Sequence, residues 1–242
     1  ADLVARIRPG ATVWVSTPTW PNHPQVFAAA GLATKPYPYL SPATGELDAD
    51  GMLAALRSAP AGDVVLLHAC CHNPTGIDPT AAVWQAIGDV IAERGLLPLV
   101  DFAYQGFGDG LEEDGAGLRG LVRPGAELLV ASSFSKNFSL YDERVGALSL
   151  VGASTADATT LLSHAKAAVR ANYSNPPAHG GEVVATVLAD EALRARWEDE
   201  VTAMRERING NRRAFVEGLT AAGAPDFSRL LRQRGMFSLL GM

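Results

Sequence analysis

Only three residues of this chain carry an amine side chain, Lys35, Lys136 and Lys166, so any chemistry that needs a lysine has three candidates. Lys136 follows an apolar run inside the serine-rich turn Ser132-Ser133-Phe134-Ser135. A second apolar run ends in His72-Asn73, and a third ends in Asp101 with Tyr104 close behind. In open α/β sheets ligands bind outside the carboxyl ends of the strands, which would bring these three run ends to one edge. The residue types then suggest a division of labour. A lysine amine forms a Schiff base with an aldehyde. A carboxylate such as Asp101 beside a pyridine nitrogen keeps that nitrogen protonated, and the protonated ring is the better electron sink. A phenol and an amide, Tyr104 and Asn73, can donate to a ring oxygen, while hydroxyls and the forked guanidinium of Arg144 suit a phosphate. Together these are the groups that a pyridoxal phosphate site requires.

The elements that must position them follow from pattern. Thr12 to Ser16 is a short β-rich run, Pro24 to Gly31 reads as a short helix closed by glycine, and Lys35 to Leu40 as an extended edge piece. Asp48 to Ser58 is helical, Val64 to Cys71 is a continuous apolar strand, and Asn73-Pro74-Thr75-Gly76 is a turn. Asp78-Pro79 is expected to cap and open a helix running to Gly95. Leu96 to Ala103, Glu127 to Phe134 and Val145 to Val151 are further strand-like runs, and Thr155 to Arg170 carries a helical apolar stripe. One long helix is expected over about 190–223. Phe237 to Leu240 again reads as a strand. Alternating helix and strand make the class α/β, with a mostly parallel sheet flanked by helices. A composition shift puts a domain boundary near Thr202: residues 1–202 form a large domain and residues 203–242 the start of a smaller α+β domain.

Composition narrows the function. Hydrophobic residues make up 48% and charged residues 19%, enough to bury a sizeable core. A formal net charge of −6 gives no electrostatic footprint for nucleic acid or an anionic membrane surface. Cys70 and Cys71 are adjacent and cannot form an ordinary bridge, which suits a reducing, cytoplasmic setting. No apolar run reaches the length of a membrane span. Lacking an initiator Met, the sequence reads as an internal fragment of a longer protein.

Four motifs in order carry a resemblance: HNPTG at 72–76, DFAYQGF at 101–107, SSFSKNFSLYDERVG at 132–146 and RANYSNPPAHG at 170–180. The chain resembles the class I, fold-type I, pyridoxal-phosphate-dependent aminotransferases, within them the aspartate and aromatic amino acid group, from about Trp14 to Met242. The resemblance implies that Lys136 binds the cofactor covalently and shuttles a proton, and that Asp101 pairs with the pyridine nitrogen. It implies further that Tyr104 and Asn73 bind the ring oxygen and that Ser133 and Arg144 bind the phosphate. Trp20 would stack on the ring and His23 would support Asp101 from behind. Arg170, reaching across a homodimer with shared active sites, would bind a substrate side-chain carboxylate. The implied reaction moves an amino group between aspartate, glutamate or an aromatic amino acid and a 2-oxo acid such as 2-oxoglutarate. The runs ANYSNPPAHG and SKNF lean toward aspartate enzymes, whereas Ser139 and TPTW resemble the aromatic (tyrosine) branch. Relative to the family the chain lacks the N-terminal arm, the glycine-rich phosphate loop, the partner's tyrosine and the C-terminal arginine. The 242 residues alone are therefore expected to be inactive.

A lyase or decarboxylase is disfavoured by Arg170, and a non-catalytic relative would be expected to lose Lys136 or Asp101. Arg170 could instead cap a helix C-terminus, where positive charge is favoured, and Arg144 could pair with Asp142 or Glu143. Lys35 and Lys166 read as solvated charges, and His164 and His179 have no evident partner. The cluster His68, Cys70, Cys71, His72 invites a metal reading, but adjacent strand residues face opposite ways and cannot all reach one ion. Gly115 to Gly120 spells a dinucleotide fingerprint without the strand and helix that it needs.

Overall fold

The computed structural model describes residues 1–240. In chain order its elements are α1 (Asp2–Ile7), β1 (Thr12–Thr17), α2 (Asn22–Ala29), β2 (Ala33–Pro38), α3 (Ala49–Arg57), β3 (Val64–His68), α4 (Ala81–Arg94) and β4 (Leu97–Phe102). They continue with α5 (Ala116–Leu121), β5 (Leu128–Ser133), β6 (Gly146–Val151), α6 (Thr155–Tyr173), α7 (Ala178–Ala189) and α8 (Glu191–Ala221). The strands form one sheet in the order β2-β1-β3-β4-β5-β6, parallel throughout except for the antiparallel β5–β6 pair.

Each central strand is covered on both faces, which explains why its sequence is an unbroken apolar run rather than an alternation. The two-residue period of a strand then sorts the side chains. Val65, Leu67, Val100, Leu128 and Val130 join Trp14, Met52, Leu56 and Ile87 in one core, against α3, α4 and the middle of α8. Val13, Val15, Leu66, Leu99 and Leu129 point the other way and meet Leu3, Val4, Phe27 and Ala165 of α1, α2 and α6. Asp48, Thr80, Ser154 and Asp190 cap α3, α4, α6 and α8 with their side chains. Gly95 ends α4 in the left-handed region at φ 63°, a conformation that costs glycine little.

Several expectations are corrected. Asp78-Pro79 does not open α4: Thr80 is the cap, and the Asp78 carboxylate instead accepts hydrogen bonds from the backbone N–H groups of Cys71 and His72 at 2.7 and 2.9 Å. β3 ends at His68 rather than at Cys71, which takes φ 51° on the way into the turn. Phe237 to Leu240 forms no strand; Gln233 holds this stretch by accepting from Leu239 N and donating to Leu239 O. Lys35 is exposed, yet its amine lies 4.3 Å above the Trp14 ring. The long helix expected over about 190–223 is present as α8. Among the described residues no helix is long and apolar enough to cross a membrane.

The loop after β4 is wrapped around one carboxylate. Buried Asp114 accepts from the N–H groups of Gly106, Gly108, Asp109 and Gly110 at 2.8 to 3.4 Å. Asp114→Asn would aim amide hydrogens at backbone N–H groups. The substitution should lower unfolding stability by about 2 kcal/mol, the cost of unsatisfied buried donors, as read by urea denaturation. An unchanged midpoint would refute this account of the loop.

Candidate functional site

The carboxyl ends of β3, β4 and β5 bring the proposed residues to one edge of the sheet. Asp101 is the penultimate residue of β4, Tyr104 lies just beyond it, Asn73 follows β3, and Lys136 follows β5. Asn73 Nδ2 donates to the Tyr104 hydroxyl at 3.2 Å. The Lys136 amine sits 4.8 Å from the centroid of the Tyr104 ring and 5.9 Å from that of Tyr141. Burial pulls the Lys136 pKa down, and the Arg144 cation adds to the effect, while the Asp101 charge opposes it. Burial pushes the Tyr104 phenol up to about 12, so it is a donor at neutral pH.

Asp101 is the fixed charge of the site. Burial alone would raise its pKa, but the His23 hydrogen bond and the nearby Lys136 cation outweigh that and hold it below the usual carboxylate value. His23 Nε2 lies 3.1 Å from Asp101 Oδ2, and since a carboxylate only accepts, Nε2 is the donor. Thr19 Oγ1, 2.9 Å from His23 Nδ1, fixes the other end of the ring. Asp101 Oδ1 has no donor among the described residues and is free to accept one more N–H. Trp20 is 41% exposed and meets the His23 ring edge-on, with centroids 5.2 Å apart. Both line a cavity of about 260 Å³ with Asp101, Leu66, Leu99 and Ala131.

Behind Asp101 stands a layer of neutral imidazoles, His68 and His72. His68 is buried between the rings of His23 and His72, at 5.2 and 4.2 Å, and neither of its nitrogens has a partner. Burial keeps its pKa well below the ordinary value. His72 stacks on Tyr39 at 3.8 Å, with Ser16 and Thr75 hydroxyls at its two nitrogens at 2.9 and 2.8 Å, and burial lowers it to about 3. HNPTG signalled His72 as part of a motif, but nothing in the spacing gave its contacts.

The phosphate-side candidates are less enclosed. Ser133 is paired with Gly146 across β5 and β6, which puts Arg144, two residues earlier, at the same edge. Arg144 is exposed, holds φ 51° and donates to Tyr141 O at 3.0 Å; it makes no ion pair with Asp142 or Glu143. Ser133 Oγ accepts from Ser135 N. Arg170 is not brought into the cluster: it is exposed in the last turn of α6 and bonds Ser174 Oγ. His179, expected to lack a partner, lies 2.9 Å from Glu143. Three of the four residues of the metal reading divide between two groups, and His72 belongs to neither. His68 joins His23 and Asp101, and Cys70 and Cys71 join Asp114, whose oxygens are already taken by four backbone N–H groups.

With this geometry in place, the comparisons are consistent. The family model "Aminotransferase class I and II" matches residues 1–242. The chain is 54% identical over 243 residues to an aspartate aminotransferase of Salmonella typhi, covering 100% of this chain and 61% of that one. It is 50% identical over 242 residues to an aromatic-amino-acid aminotransferase of Pseudomonas aeruginosa, covering 100% and 60%. A crystal structure of the Burkholderia pseudomallei aromatic-amino-acid aminotransferase, covalently bound to pyridoxal phosphate, superposes with a TM-score of 0.97 at 48% identity and covers 100% of this chain and 61% of that one. The chain thus belongs to the class I and II aminotransferases and has their fold-type I architecture. It spans about 61% of the length of these relatives.

A pH dependence follows from the imidazole layer. A histidine whose folded pKa is depressed stabilises the fold above its unfolded pKa of about 6.5, and that contribution is lost as pH falls toward the folded value. His72 and His68 act in this sense. Asp78, raised to about 6 by burial, acts in the opposite sense between its unfolded value and 6. The two imidazoles should dominate, so stability should fall on acidification from pH 7 to pH 4. His72→Gln should flatten that slope in thermal unfolding followed by circular dichroism; an equal slope in both proteins would contradict the assignment.

Proposed function

We propose that this chain carries the cofactor-binding part of a pyridoxal-phosphate-dependent aminotransferase. The reaction is amino-group transfer between an L-amino acid, aspartate foremost, and a 2-oxo acid such as 2-oxoglutarate. The observation that carries this reading is the ionised Asp101, held by His23 with Oδ1 unpaired, at the same strand edge as the Lys136 amine and the Asn73–Tyr104 pair. The donor set fits the cofactor. Asp101 Oδ1 can accept a ring N–H, Tyr104 and Asn73 can donate to a ring oxygen, Ser133 and Arg144 can hold a phosphate, and Trp20 offers an exposed ring face. When bound, the cofactor supplies an electron sink for charge developing at the substrate α-carbon.

The residues then have distinct tasks. Asp101 keeps a positive charge on the ring nitrogen, and His23 keeps Asp101 in place and ionised. The neutral His68 and His72 pack behind this pair without adding a competing cation. Lys136 Nζ, with its pKa lowered by burial, is the group able to accept and return a proton. Tyr104, a donor at neutral pH, stabilises negative charge on the ring oxygen.

Identity to aspartate aminotransferases favours aspartate; the 50% identity to an aromatic enzyme supports aromatic amino acids as the second reading. Arg170 as the receptor for a substrate carboxylate across a homodimer, a cytoplasmic setting, and a division into residues 1–202 and 203–242 belong to the same proposal. An exposed guanidinium whose side chain bonds only Ser174 is available to a second subunit.

In the intact protein, borohydride reduction followed by digestion should place the pyridoxyl group on Lys136, and Lys136→Ala should abolish transfer to 2-oxoglutarate. Asp101→Asn should lower kcat by about two to three orders of magnitude, the effect of losing a preorganised charge worth about 3–4 kcal/mol. A label on another residue, or an active Lys136→Ala protein, would overturn the reading. The ratio of kcat/KM for aspartate to that for tyrosine decides between the two substrates.

A further inference from the structure

Away from the Lys136 cluster, four arginines converge. Arg212 and Arg213 of α8 and Arg232 and Arg234 of the segment after it line one cavity of about 530 Å³, together with Asn209, Gln233 and the loop residues Gly108 and Asp109. Two of the four charges are compensated. Arg234 Nε reaches both oxygens of Asp109, at 3.0 and 2.9 Å, and Arg232 pairs with Glu46. The other two are not. Arg213 is exposed and has no ion-pair partner among the described residues. Arg212 is only 8% exposed, and its hydrogen bonds go to Asn209 Oδ1, Ser238 Oγ, Gly235 O and Phe237 O, all neutral acceptors. Of its five N–H groups, one on Nη1 remains unused. A buried cation without a counterion is costly, and burial pulls the Arg212 pKa down accordingly.

We propose that this cavity is a binding site for a phosphate dianion, either inorganic phosphate or the phosphate of a small phosphorylated metabolite. The two uncompensated guanidiniums match a charge of −2, and forked N–H donors match tetrahedral oxyanions. Asn209 and Gln233 add neutral amides to the wall. None of the lining residues belongs to the Lys136 cluster, so the site stands independently of the proposed reaction. It is nevertheless placed to influence that cluster. Arg212 holds the carbonyls of Gly235 and Phe237, and the Phe237 ring meets Tyr104 edge-on with centroids 6.2 Å apart.

The test uses the intact protein saturated with pyridoxal phosphate, so that the cofactor's own phosphate site is filled. Isothermal titration with inorganic phosphate, and separately with glycerol 3-phosphate, at constant ionic strength should show one site per chain. Phosphate binding alone identifies the free ion as ligand, and tighter glycerol 3-phosphate binding identifies a phosphorylated metabolite. Arg213→Gln, at an exposed position that the fold does not use, should weaken binding about tenfold, the scale of one lost charge-assisted contact. Arg212→Gln should weaken it further, and its circular dichroism spectrum shows whether the fold is retained. Absence of binding to the parent protein, equal affinity in the folded Arg213→Gln protein, or equal binding of chloride would each overturn the proposal.

Discussion

The contact between His23 and Asp101 is the interaction on which the site depends. A carboxylate at the buried end of a parallel strand tends to take up a proton, and a neutral Asp101 could not hold a charge on a bound ring nitrogen. The His23 N–H, itself oriented by Thr19, reverses that tendency. His68 and His72 contribute by remaining neutral, because burial denies them a proton. The result is one fixed negative charge, backed by aromatic rings and open on the side where Lys136 stands.

The same constraint explains how the surrounding backbone is tied down. Two acids near the site, half-buried Asp78 and buried Asp114, are spent on main-chain N–H groups rather than on chemistry. Asp78 binds the Cys71–His72 backbone and so fixes the turn that presents Asn73. Asp114 gathers the loop after β4, which carries Tyr104 at its start and Asp109 further on. The loop is also held from below: Trp197 donates to Asn137 O and Arg205 to Gly106 O, so α8 braces both the Lys136 turn and the Tyr104 loop.

Much of this was legible in the residues. Apolar runs located β3 to β6, a β-rich run and an extended segment located β1 and β2, and four motifs named most of the candidate site residues. The errors share a cause. Asp78 looks like a helix cap because Asp-Pro usually is one, but a carboxylate bonds whichever N–H groups folding brings closest, and here those are six and seven residues back in the chain. Phe237 to Leu240 has the composition of a strand but pairs with no strand among the described residues. His179 looked isolated because its partner, Glu143, is 36 residues away.

The sequence by itself determined the elements, the alternation that makes the sheet parallel, and the chemical types gathered at its edge, because local periodicity and residue chemistry are properties of short windows. Tertiary structure alone decided which groups touch and which are charged. His23 and Asp101 are 78 residues apart, His68 and His72 are neutral only because they are buried together, and Arg212 meets only neutral acceptors among the described residues because of where α8 meets the segment after it. Protonation and charge balance depend on burial and distance, which no window of sequence contains.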